Sequence, residues 1–132
     1  MMANPPLSAD ETFHTCFFYF VEALGVMSLE PAAQYETMGK FNVAWEIQHD
    51  VLDAGISLQS WPGLYLGKAE KDEIARLVVS VKALPQAALM STEDAVHHPS
   101  WEGLRIGAAR LIQLLELPIK NNVEFFQIKS AK

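Results

Sequence analysis

Taken at about 100° per residue, the apolar positions of this chain recur at helical spacing over most of its length. From Ser8 to about Met27, Phe13, Cys16, Phe17, Phe20, Leu24 and Met27 fall on one face, and Glu11, Thr15 and Glu22 form a narrow strip opposite. Ser8 and Glu11 have capping-box spacing and place the start. Phe18, Tyr19, Val21 and Val26 fill the flanks, so this helix is apolar over most of its circumference. Such a helix is either central in its domain or buries one side against another subunit. The central position is the expectation, with a homodimer through this helix as its competitor.

A second helix is expected from Ser28, its cap, to Gly55, its end, with Pro31 accommodated in the first turn. Its buried stripe reads Met38, Phe41, Trp45 and Leu52, with Glu36, Asn42, Glu46, Asp50 and Asp53 on the other side. The short join makes these two helices a long antiparallel hairpin. Ile56 to Gly67 lacks helical charge patterning and contains Pro62 and Gly63, so it reads as a loop rich in aromatic and aliphatic side chains.

From Lys68 the helical pattern returns, with Ile74, Leu77, Val78, Val81 and Leu84 inward and Glu70, Asp72 and Glu73 near the positive end of the helix dipole. Pro85 closes that helix. A short helix over Gln86 to Met90 and a further turn capped by Ser91 and reaching His97 lead to a final long helix from Pro99 to about Glu116. The stripe of this helix is Trp101, Leu104, Ala108, Leu111, Ile112 and Leu115, and Pro118 ends it. Residues 119–128 fit either a docked short helix or an edge strand, which periodicity does not separate over so few positions. The expected fold is therefore all-α: one domain over 1–132, a compact bundle of four main helices plus one short extra helix.

Composition narrows the function classes. Half of the 132 residues are hydrophobic and 20% are charged, a globular balance that excludes intrinsic disorder. Ten Lys and Arg against 16 Asp and Glu give a net charge of -6, and the basic residues are scattered, which argues against nucleic acid and leaves a basic protein partner open. The apolar run from Phe13 to Met27 is interrupted by Glu22 and Gly25 and falls short of the roughly 20 residues that span a bilayer. No basic segment precedes it as in a secretory signal, and the lone Cys16 excludes an internal disulfide, so the expected location is cytoplasmic. Cys16 lies among apolar neighbours and reads as an inert thiol.

Two sets of residues carry candidate chemistry. Three of four histidines follow an acid by three residues: Glu11 and His14, Glu46 and His49, Asp94 and His97. On a helix this spacing serves either a metal half-site or a local ion pair. Helical direction sends Glu11, His14 and Glu46 outward, which leaves His49 with His97 or His98 as the ligands of a divalent transition metal in an oxidoreductase or hydrolase. The second set is an interaction surface. Trp61, Leu64 and Tyr65 sit in the loop, either as a lid on the core or as anchors for a partner, and Glu46, Asp50 and Asp53 form an acidic row just before them. With no nucleophile elbow, phosphate loop or paired catalytic carboxylates, the chain reads as a non-enzymatic protein-interaction module, of the inhibitor or immunity type, for a basic partner. The alternative is the metal-binding helical bundle.

Overall fold

The computed structural model describes residues 8–39, 41–63 and 65–130. Among them are six α-helices and no strand: α1 (Ala9–Met27), α2 (Pro31–Thr37), α3 (Val43–Gln59), α4 (Lys68–Lys82), α5 (Ser100–Leu114) and α6 (Glu116–Ser130). Two 3-10 turns, Gln86–Leu89 and Glu93–His97, join α4 to α5. Helices α1, α3, α4 and α5 pack in a ring, each against the next, and these are the four main helices of the bundle. No described helix is long and apolar enough to cross a membrane.

Helix α1 occupies the central place. The Ser8 hydroxyl accepts the Glu11 N–H at 3.1 Å and starts it. Phe17, Phe20, Leu24 and Met27 are fully buried, and α1 packs against α3, α5, α6 and α2. Its last turn contains no basic residue, so its C-terminal carbonyls find partners elsewhere. The fully buried Gln34 amide donates to Val26 O (3.2 Å) and Met27 O (3.1 Å), and Arg105 Nε donates to Leu29 O (3.2 Å). Another guanidinium nitrogen of Arg105 reaches Gln34 Oε1 and the Val96 carbonyl, which ties α1, α2, α5 and the second 3-10 turn together. Burial pulls the Arg105 pKa down, and Glu30 and Glu102 oppose that shift.

The second arm of the hairpin differs from the sequence reading. The segment 28–55 is not one helix: Gly39 (φ +87°) and Asn42 (φ +49°) take left-handed conformations, which separate α2 from α3. Ser28 serves the preceding helix, its hydroxyl donating to Gly25 O at 2.8 Å, and Glu30 precedes α2. Gly55 lies inside α3, where a Cβ would stand 2.8 Å from Val78 Cγ2 and 3.1 Å from Phe20 Cε1. The missing side chain lets α1, α3 and α4 approach at that point. The hairpin itself remains, because Cys16 meets Ala54 and Phe13 meets Trp61 just past the end of α3, so α1 and α3 run antiparallel.

The break also shifts the phase of the buried face. Of the expected stripe Met38, Phe41, Trp45 and Leu52, only Met38 and Leu52 pack against the core, and both only half-buried. Val43, Ala44, Ile47, Val51, Ala54 and Leu58 are buried instead, while Phe41 and Trp45 are exposed. In α4 and α5 the expected stripes hold: Ile74, Leu77, Val78, Val81 and Leu84 are buried, as are Trp101, Leu104, Ala108, Leu111 and Leu115. Residues 119–128 are helical, within α6, and Pro118 sits in its first turn, where no N–H is required.

Candidate functional site

The first acid and histidine pair holds α6 on the bundle. His14 Nδ1 lies 2.5 Å from Asn122 Oδ1, and the His14 ring stacks on Phe125 with centroids 4.0 Å apart. A carbonyl oxygen only accepts, so His14 donates from Nδ1. One turn earlier Glu11 pairs with Lys129, whose hydrogen bond holds the Glu11 carboxyl below the usual carboxylate range. Sequence reasoning places both residues on an outer face; residues 119–128, readable as a docked helix or an edge strand, are the helix that covers it. The signal for that helix is weak, because the most buried residue of α6 is Asn122.

The other histidines have local surroundings. His49 meets the Trp45 ring edge-on at 3.7 Å, His97 Nε2 lies 4.0 Å from the Glu93 carboxylate, and His98 Nδ1 accepts the Ser100 N–H at 3.1 Å. Among the described residues no three His, Cys, Asp or Glu side chains converge as a metal centre requires. Geometry thus gives the His49, His97 and His98 grouping no support.

Most of the aromatic loop acts as a lid. The Phe13 ring is stacked by Tyr65 at 4.2 Å and met edge-on by Trp61 at 5.6 Å, and Leu66 is buried. The Tyr65 hydroxyl donates to Asp10, which raises the Tyr65 pKa, and Lys71 Nζ donates to the Trp61 carbonyl at 2.6 Å. Leu64 lies outside the described residues. Trp61 and Tyr65, expected as partner anchors or as a lid, are both half-buried on the core.

The acidic row stays on the surface, and α1 completes its surroundings. A groove of about 470 Å³ runs between α1 and α3. Cys16, Ala23 and Ala54, all small, line it together with Tyr19, Glu22, Val26, Asp50 and Asp53, and no Lys or Arg among the described residues does. Asp50 has its pKa raised, first by partial burial and then by the like charges of Glu46 and Asp53. Burial also pushes the Cys16 thiol up, and its Sγ lies 3.8 Å from Ala54 O, which suits an inert group.

Beside the acidic row, α3 presents a second apolar strip to solvent. Trp45 is 45% exposed and Ile56 42%, with His49 and Leu52 half-buried between them, and Phe41 at 69% stands just before the helix. On the groove side Tyr19 is 63% exposed. Among the described residues, α3 therefore sets the carboxylates of Glu46, Asp50 and Asp53 beside exposed aromatic side chains. No known protein family matches the chain, and neither a curated protein nor a solved structure is similar to it.

Proposed function

We propose that the chain is a protein-interaction module that binds a basic segment of a partner protein through the acidic surface shared by α1 and α3. One observation carries the reading: Glu22, Asp50 and Asp53 stand around a groove floored by Cys16, Ala23 and Ala54 and bordered by Tyr19 and Val26, with no basic residue among the described residues that line it. Partial burial, and after it the like charges of Glu46 and Asp53, raise the pKa of Asp50, and a bound ammonium or guanidinium group would relieve that repulsion. Small residues beneath leave room for a lysine or arginine stem to lie along the groove. Opposite charge at this position also accelerates encounter with a basic partner.

A short oligolysine peptide tests the reading. It should bind with an affinity that falls steeply as salt rises, and Asp50→Asn with Asp53→Asn should weaken binding by about tenfold and flatten the salt dependence. Equal binding by the double variant would place the basic partner elsewhere.

A further inference from the structure

We propose that the partner of this surface is an amphipathic helix, which lays its apolar stripe along the outer face of α3 and its basic flank along Glu46, Asp50 and Asp53. The inference rests on the basic-partner reading and adds the chemistry of the segment that is bound.

Trp45, His49, Leu52 and Ile56 follow one another by four, three and four residues, the alternation of a seam between two paired helices. From Trp45 to Ile56 the strip covers twelve residues, about 16 Å or three helical turns. Phe41 extends it at the N-terminal end. A partner helix of similar length would meet it with apolar residues at the matching spacing. Trp45 suits the anchor of such a contact, because an indole buries much area at little entropic cost.

Charge selects among the possible occupants. Glu46, Asp50 and Asp53 each follow a strip residue by one position, so they form one flank of the seam, where charges decide which partner is accepted. An anionic lipid surface would be repelled by that flank and by the net charge of -6. A second copy laid antiparallel about a two-fold axis would set one acidic flank against the other, with Asp50 opposite Asp50. A helix carrying lysine or arginine on that flank answers both the strip and the row.

The test uses the full chain and a fluorescein-labelled peptide of about 18 residues, long enough to pair with three turns. Its leucines recur by four and three residues, and lysines flank them. A scrambled peptide of the same composition keeps the charge and loses the stripe. The helical peptide should bind at least about tenfold more tightly than the scrambled one, and Trp45→Ala should remove most of that difference. Because Trp45 is already half exposed, circular dichroism and melting temperature of the variant should match the parent. Equal binding of the two peptides, unchanged by Trp45→Ala, would overturn the helix proposal and leave the basic-partner reading intact. Binding of neither peptide would overturn both. A dimer by light scattering that Trp45→Ala dissociates would assign the face to a second copy and likewise overturn the proposal.

Discussion

Along α3 the inward face presents Ile47, Val51, Ala54, Gly55 and Leu58, and the outward face presents Trp45, Leu52 and Ile56. Both are apolar and both have helical spacing, yet the first is in the core, whereas in the second Trp45 and Ile56 meet water and Leu52 is half-buried between them. At Ala54 and Gly55 side-chain size separates them. Gly55 sits against Phe20 and Val78, and Ala54 beneath the α1 groove, positions where a large ring would hold the neighbouring helices apart. The aromatic side chains are left outside, beside carboxylates. Hydrophobicity alone therefore does not decide which face of a helix a bundle buries; the fit of its neighbours does.

The largest test of this contrast is Ile47→Ala, which should lose about 2–5 kcal/mol of unfolding free energy in chemical denaturation, as for other buried aliphatic truncations. Its outer counterpart Ile56→Ala should lose no more than about 0.5 kcal/mol, the range of ordinary surface changes. Similar losses at the two positions would break the distinction between the faces. Next in size, Gly55→Ala should cost about 1–2 kcal/mol even though alanine favours the helix, because the added methyl collides with Val78 and Phe20. Gly103→Ala in α5 sharpens the point with the opposite sign. Beyond its chain neighbours and the nearby backbone of its own helix, nothing lies within 4 Å of the Cβ it would add, so it should stabilise by about 0.5–1 kcal/mol.

How much of this was legible in the sequence varies by element. In α4 the stripe Ile74, Leu77, Val78 and Val81 is the only apolar face, so periodicity identifies it without ambiguity. The Ser8 cap is equally plain, since its hydrogen bond is local. At α3 two apolar faces compete, and the left-handed turn at Gly39 and Asn42 resets the phase between Met38 and Val43. Both are residue types that tolerate positive φ, a signal present in the sequence but outweighed by the longer apolar pattern. The α6 docking edge and the Gln34 and Arg105 node depend on polar contacts between distant residues, which no periodicity reports. For the candidate surface, the acidic row was readable as a row, whereas the exposure of Trp45 and the shielding of Trp61 follow from packing.

The smallest expected effect concerns Asp50. Its folded-state pKa is raised, so the folded chain takes up a proton there more readily than the unfolded chain. The destabilisation is present at neutral pH, where the carboxylate is ionised, and fades as pH falls through the raised pKa. Asp50→Asn should therefore stabilise at neutral pH, by about 0.5 kcal/mol at most after solvent screening, with the gain shrinking in acid. A gain independent of pH, followed by thermal melts, would show that charge is not its origin. Together with weaker peptide binding, the predicted behaviour would show that the surface sacrifices stability for recognition.

The three tryptophans make the most direct measurement available. Trp45 is half exposed, Trp61 is half-buried on Phe13, and Trp101 is fully buried with its indole N–H donated to Ala88 O at 2.9 Å. Each gives its own indole cross-peak in a nitrogen-15 correlation spectrum of the full chain. On titration with the leucine and lysine helix, the Trp45 peak should move with the saturation of binding while those of Trp61 and Trp101 stay in place. Movement of Trp61 with Trp45 still would return the contact to the aromatic loop and contradict the assignment to the outer face of α3.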